Sequence, residues 1–198
     1  DADLKDMALI LADTPSTPAG VFTRNQVKAA PVKLDMETIR SGKGQAIIVN
    51  SGNANACTGE PGMQDARTMA DRTAEATGLQ AADVYVFSTG SIGIPLPMER
   101  ISSGITTLAG QLSPHDTQAP RAIMTSDSFQ KVATTTVLVD GQSVRLSAMA
   151  KGAGMIEPNM ATMLCFILTD AVIDAPPLQA ALNTANQQSF NRISVDGD

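Results

Sequence analysis

The chain has 198 residues, 43% of them apolar and only 3% aromatic, with a net charge of −6. That length allows one sizeable globular domain, or two small lobes sharing a core filled by Ala, Val, Ile, Leu and Met rather than by rings. An acidic balance without basic runs or stacking aromatics excludes a nucleic-acid footprint, and no apolar stretch approaches the length of a membrane span.

In chain order, residues 1–6 are charged and carry no hydrophobic leader. Residues 7–12 read as a strand, 13–18 as a turn cluster with two prolines, and 20–24 as a second strand. The apolar run 46–49 follows a flexible Ser-Gly-Lys-Gly segment and is a third strand. The loop 50–59 is rich in Asn and Gly, residues that tolerate left-handed backbone. Its N–H groups form a candidate anion nest, although the phosphate-loop pattern GxxxxGK[ST] is absent. Met63, Ala66, Met69, Ala70 and Ala74 have helical spacing over 62–77, with Pro61 near the first turn and Gly78 as the stop.

Residues 84–87 form a short strand that runs into Ser88-Thr89-Gly90. Ile101, Ile105, Leu108 and Leu112 then mark a helix over 97–112, and a shorter helix covers 118–124. Two strands, 132–139 and 143–149, flank Asp140-Gly141, a strong hairpin signal. The continuous apolar run 162–168 reads as a strand buried on both faces. Asp174 and Pro176-Pro177 open a helix carrying Leu178, Leu182 and Ala185, and residues 193–195 read as a last strand. Hairpin and helical signals intermingle without a regular βαβ repeat, so the fold class is mixed α/β with layered helices and sheets.

Cys57 and Cys165 lie far apart and form no CxxC, which suits two free thiols in a reducing cytosol better than a disulfide or zinc site. Cys165 falls in the apolar run as a small core residue, and Cys57 falls in a loop. His115 follows Ser113-Pro114 and reads as a surface residue.

The densest chemistry lies between Lys151 and Leu164. Gly152, Gly154 and Pro158 contort a loop that delivers Thr162 to the mouth of the apolar run. The residues alone allow two readings of Thr162: a β-branched strand starter, or a hydroxyl held rigidly enough to react. Thr89 and Gly90 follow a strand and are either an ordinary Ser-Thr-Gly strand end or a sharp turn that aims N–H groups and a hydroxyl at a developing oxyanion. Lys151 is either a solvated strand-end lysine or a point charge for a substrate carboxylate. Thr125 begins a Thr-Ser-Asp turn in which Asp127 is a turn or capping residue.

The segment 151–164 resembles the self-processing motif of the ornithine acetyltransferase (glutamate N-acetyltransferase) family of arginine biosynthesis. Five further runs resemble family landmarks in the family's order: Val21-Phe22-Thr23-Arg24, residues 50–56, Ser88-Thr89-Gly90-Ser91-Ile92-Gly93, residues 122–127 and Ser194-Val195-Asp196-Gly197-Asp198. The resemblance implies an αββα sandwich and self-cleavage of the Ala161–Thr162 bond. Residues 1–161 would then be an N-terminally incomplete α chain, and 162–198 the start of a C-terminally truncated β chain.

It also implies Thr162 as nucleophile and substrate contact, Thr89 and Gly90 as oxyanion hole, and Thr125 and Lys151 as substrate-binding residues. The implied reaction moves an acetyl group from N-acetyl-ornithine to glutamate by a ping-pong route in the cytoplasm. The implied assembly is two cleaved α/β pairs. Neither metal nor cofactor is implied, although some family members accept acetyl-CoA as a co-substrate. Two other readings remain at this point: an N-terminal-nucleophile amidohydrolase or aminopeptidase that resolves its acyl-enzyme with water, and a non-catalytic anion-binding module on the Asn/Gly loop.

Overall fold

Gly44–Asn50 (β2) is the organising strand. Its Ile48 and Val49 are fully buried, and it carries a neighbour on each side. In the computed structural model, which describes residues 5–157 and 162–197, Met7–Ser16 (β1) pairs antiparallel with β2 and Val84–Ser88 (β3) pairs parallel with it. The first strand is longer than its sequence suggests. Residues 13–16, expected to turn, continue β1 past an irregularity between Leu11 and Ser16. Bulges absorb such local misfits by leaving part of the ladder unpaired. Residues 20–24, expected as a strand, are irregular. An unpaired apolar-aromatic run has no ladder to hold it extended.

Gly59–Thr77 (α2) and Met98–Gly110 (α3) cover one face of this sheet. Met69, Ala70 and Ala74 of α2 meet Ile101 and Ile105 of α3 over Ile48, Val84 and Val86. Each fully buried Ile or Met contributes roughly 1.5–3 kcal/mol of transfer free energy. Gly78 ends α2 in the left-handed conformation at φ 72, as the sequence indicated. Ala30–Thr38 (α1), which lacks a clear apolar stripe and was not legible, starts with proline in its first turn and lies against β3. Its Asp35 carboxyl group is buried and accepts the Val86 N–H at 3.0 Å, so it caps the edge of β3 that, among the described residues, no strand pairs.

The second sheet is the expected hairpin, Lys131–Val139 (β4) and Gln142–Lys151 (β5), joined by Asp140 and Gly141, both at positive φ, with Leu164–Thr169 (β6) on the far side of β5. The helix Ala119–Ala122 (α4) is a single turn. The two sheets meet through Ala8, Val49, Ile123 and Phe166, and the Phe87 and Phe166 rings pack edge to face at 4.7 Å between centroids. Such ring pairs add about 0.5–1.5 kcal/mol beyond burial.

Two expectations about the C-terminal part need correction. The run after Thr162 becomes a strand only from Leu164 and is not buried on both faces: Phe166 is buried, but Ile167 is 47% and Leu168 46% exposed. As an edge strand it packs against the first sheet only through its N-terminal half. Residues 193–195 form no strand: among the described residues Val195 N–H reaches Ile156 O at 3.0 Å, while Ile193 N–H turns back to Phe190 O. Ala175–Gln188 (α5) forms as expected and is tied to residue 20 by a reciprocal pair: Gly20 N–H donates to Gln179 Oε1 and Gln179 Nε2 donates to Gly20 O. The mixed α/β class with layered helices and sheets expected from the sequence is present, built on two three-stranded sheets. Among the described residues, no helix is long and apolar enough to cross a membrane.

Candidate active site

The register of β2 and β3 sets Asn50 beside Ser88, so two parallel strands end together and release their loops at one edge. Ligands of α/β sheets bind outside such carboxyl ends. The two loops are zipped to each other. Ser91 N–H donates to Gly52 O at 2.8 Å, Ala54 N–H to Ser91 O at 2.9 Å, and Gly93 N–H to Ala56 O at 2.9 Å. At the strand ends, Ser88 Oγ donates to Asn50 Oδ1, and Asn50 Nδ2 donates to Asn53 O. The Asn/Gly loop adopts the left-handed backbone expected of it at Gly52, Asn55 and Gly59. Its Ser51 and Ala54 N–H groups are spent on Asp6 O and Ser91 O, so they hold structure rather than an anion.

Gly90 is required twice. Its φ of 129 is closed to side-chain-bearing residues, and a Cβ there would overlap the Gly52 carbonyl and lie 2.7 Å from Asn53 N. Thr89, fixed by its own N–H to Asn50 O at 3.0 Å, is left only 6% exposed.

Lys151 arrives from the second sheet as the last residue of β5, opposite Leu164 at the start of β6. It is 3% exposed, so the solvated strand-end alternative does not hold. Its Nζ donates to Thr89 Oγ1 at 2.8 Å. Burial, most of all, lowers its pKa below the ordinary lysine range; Asp127 opposes that shift and Lys131 adds to it. Asp127 is the turn residue expected and more. Its Oδ1 accepts from Lys131 Nζ at 2.6 Å and from Gly152 N–H at 2.8 Å, and its Oδ2 accepts Thr125 N–H at 3.2 Å. Burial alone would raise the Asp127 pKa. The bonds from Lys131, Gly152 and Thr125, with the Lys131 charge, outweigh it and hold the group below the usual carboxylate value. One carboxylate therefore ties the Thr125 turn to the start of the 151–157 loop.

Thr162 is exposed and sits at φ 50, a value that β-branched residues rarely adopt. It lines a cavity of about 190 Å³ together with Thr89, Gly90, Thr125, Ser126, Lys151, Gly154, Met155 and Asp196. Five of the six site residues expected from the sequence thus share one cavity. The sixth, Ala161, lies outside the described residues, as does the Ala161–Thr162 bond. Cys57 and His115 are exposed, as expected, and Cys165 is half-buried, with burial raising its thiol pKa to about 11.

The residue that sequence reasoning left without a role is Asp196. It lay within the run Ser194–Asp198, but nothing in that run indicates that its carboxylate reaches back forty residues to Met155 and Ile156.

One mixed and one antiparallel sheet, with hydroxyls and a buried lysine gathered in a polar cavity beside their strand ends, define a layered α/β protein. The particular family follows from comparison: the profile described as the ArgJ family matches residues 2–198, and the chain belongs to that family. It is 52% identical over 198 residues to the arginine biosynthesis bifunctional protein ArgJ of Symbiobacterium thermophilum, covering all of this chain and 49% of that protein. It is 53% identical over 194 residues to the ArgJ of Geobacter sulfurreducens, covering 98% of this chain and 49% of that one. The chain therefore spans about half the length of the curated relatives it matches.

Among solved structures, the ArgJ of Bacillus halodurans superposes with a TM-score of 0.73 at 44% identity, over 79% of this chain and 83% of that chain. The ornithine acetyltransferase of Mycobacterium tuberculosis complexed with ornithine gives 0.69 at 35% identity, over 80% and 84%.

Proposed function

We propose that the protein is a glutamate N-acetyltransferase of arginine biosynthesis, which moves an acetyl group from N-acetyl-ornithine to glutamate through an acetyl ester on Thr162. The observation that carries this reading is the Lys151–Thr89 hydrogen bond. A lysine ammonium has no acceptor, so Thr89 Oγ1 must accept from it, and the Thr89 hydroxyl hydrogen is left to point elsewhere. Thr89 lines the cavity shared with Thr162. A hydroxyl polarised by a buried cation, beside the constrained Gly90 backbone, is a preorganised donor for an oxyanion.

The nucleophile is made by self-cleavage. Thr162 Oγ attacks the Ala161 carbonyl carbon, the C–N bond breaks as the ester C–O bond forms, and the acyl group moves from nitrogen to oxygen. Water then hydrolyses the ester, leaving an Ala161 carboxylate and a Thr162 with both a free hydroxyl and a free amine. The left-handed backbone at Thr162, which costs about 1–3 kcal/mol, favours a step that frees the residue. The lengths of the relatives support the same step. This chain covers 83% of the matched Bacillus halodurans chain but 49% of the curated Symbiobacterium protein, as when a precursor is cut near its middle.

An internal amide is no base, whereas a free α-amine with a pKa near about 7.7–8.0 accepts the Thr162 hydroxyl proton at neutral pH. Thr162 Oγ then attacks the acetyl carbonyl of N-acetyl-ornithine, and Thr89 and Gly90 bear the developing negative charge. Ornithine leaves with the proton, and the glutamate amine takes the acetyl group in the second half-reaction. Thr125 and Lys151 line the wall that the substrate meets. Support for the donor comes from the Mycobacterium tuberculosis relative, crystallised with ornithine. The term bifunctional in the relatives' names supports a second acetyl donor, and acetyl-CoA is that donor in this reading. The working unit is two cleaved pairs in the cytoplasm.

The test is mass spectrometry of the full-length protein mixed with N-acetyl-ornithine alone. A peptide beginning at Thr162 and carrying one acetyl group is expected, and glutamate should discharge it as N-acetyl-glutamate. Discharge to free acetate at the same rate without glutamate would favour a hydrolase instead.

A further inference from the structure

We infer that Asp196 is a positioning residue for self-cleavage: a carboxylate downstream of the cut that clamps the loop upstream of it, so the bond is cut only after the downstream segment has folded back. The inference rests on the reading of Thr162 as the self-cleaving nucleophile. Met155 lies at φ 54, and a left-handed residue makes two successive backbone N–H groups converge into an anion-binding concavity. Asp196 fills it. Its Oδ2 accepts Met155 N–H at 2.7 Å and its Oδ1 accepts Ile156 N–H at 2.9 Å, both in the short range of charge-assisted bonds.

Two neighbours extend the clamp. Val195 N–H donates to Ile156 O at 3.0 Å, and Ser194 Oγ donates to Glu157 Oε2 at 3.0 Å. Residues 194–196 thus run beside 155–157, just upstream of the bond to be cut.

On the other side of that bond the chain is fixed by a different device, the pairing of Leu164 with Lys151 in the second sheet. With both flanks held, the Thr162 hydroxyl and the Ala161 carbonyl meet without first losing the freedom of an unclamped loop, whose ordering carries an entropic cost. Residues 194–196 follow the bond in sequence. A chain whose downstream segment has not folded back therefore keeps the bond intact, and premature cutting, which would separate the two pieces before they pack, is suppressed.

The experiment compares the full-length protein with its Asp196→Asn and Asp196→Glu variants, following intact mass with time after synthesis. Asn replaces one acceptor oxygen by a donor facing an N–H, and loss of a bond to a charged group should slow cutting roughly ten- to hundred-fold. Glu keeps both acceptors and the charge and should recover part of the rate. In parallel, amide hydrogen exchange at Met155 and Ile156 is measured in an uncut Thr162→Ala background. It should accelerate on adding Asp196→Asn.

Cutting at the parental rate despite faster exchange would overturn the inference, as would unchanged exchange. Cutting of Thr162→Ala itself would count against the nucleophile and leave the clamp a separate matter. If Asp196→Asn does not fold, Ser194→Ala loosens the same clamp and should slow cutting a few-fold; a parental rate there overturns the inference.

Discussion

The Lys151 ammonium donates to the Thr89 hydroxyl at 2.8 Å across 62 residues of sequence and between two different sheets. Both groups are buried, so neither water nor salt competes for the contact as it would at a surface. Asp127 holds the other side of the arrangement by tying the Thr125 turn and Gly152 to one carboxylate. Sheet packing through Phe87 and Phe166, two residues before Thr89 and two after Leu164, sets the distance between the halves of the site.

Removing the Thr89 hydroxyl leaves the cavity shape nearly intact but takes away the donor that Lys151 polarises. Thr89→Ala in the full-length protein should lower kcat roughly 10²–10³-fold, with a much smaller change in KM. Steady-state kinetics with N-acetyl-ornithine and glutamate check it. Wild-type turnover would take Thr89 out of the site.

Thr162 performs two tasks with one oxygen. Thr162→Ala should remain a single uncut chain by intact mass and transfer no acetyl group, whereas Thr162→Ser keeps a hydroxyl and should still be cut. A cut alanine variant would place the nucleophile elsewhere.

The alkaline side of the pH profile should report Lys151. Its ammonium donates to Thr89, so turnover should fall as it deprotonates, and its pKa is lowered chiefly by burial. The falling limb of kcat is therefore expected below the ordinary lysine range of about 10.4. Asp127 favours the charged lysine, so Asp127→Asn should move that limb to still lower pH. An unmoved limb would show that the titrating group is not Lys151.

Asp35 offers a stability test far from the chemistry. Burial, partly offset by the Val86 N–H, raises its pKa from 3.8 to about 8. The native state therefore binds a proton that the unfolded chain has released over that interval. The stability that the neutral acid supplies is fully present below pH 4 and is lost as pH rises towards 8. Asp35→Asn keeps an acceptor for Val86 without an ionisable group, so its urea midpoint should fall less over that interval than the parent's. Parallel pH profiles would refute the buried, proton-binding state.

Gly90→Ala tests the turn itself. The added methyl meets the Gly52 carbonyl and an unsuitable φ at once. A loss of about 1–3 kcal/mol or more in urea unfolding is expected, together with impaired self-cleavage. A neutral substitution would mean that the two zipped loops part easily.

The sequence by itself determined the elements whose signal is local. Asp140-Gly141 specified the hairpin because a two-residue turn fixes its own register. The spacing Met69, Ala70, Ala74 and Ile101, Ile105 specified α2 and α3 because one face of each had to meet the sheet. The self-processing resemblance singled out Thr162, Thr89, Gly90, Thr125 and Lys151 by type and order, and one cavity collects all five.

Tertiary structure decided everything that depends on a distant partner. The runs 20–24 and 193–195 had strand composition but found no ladder, while 13–16 had turn composition and was drawn into β1 by β2. The run after Thr162 was apolar enough for a buried strand yet lies at a sheet edge, because hydrophobicity states what a residue prefers and not which neighbours reach it. Lys151 buried against Thr89, Asp35 buried against Val86 and the exposed bond of Asp196 to Met155 are polar contacts across long stretches of chain. The first two join groups whose desolvation is offset only once the fold has packed, and the third joins loops forty-one residues apart, so only the folded chain places them.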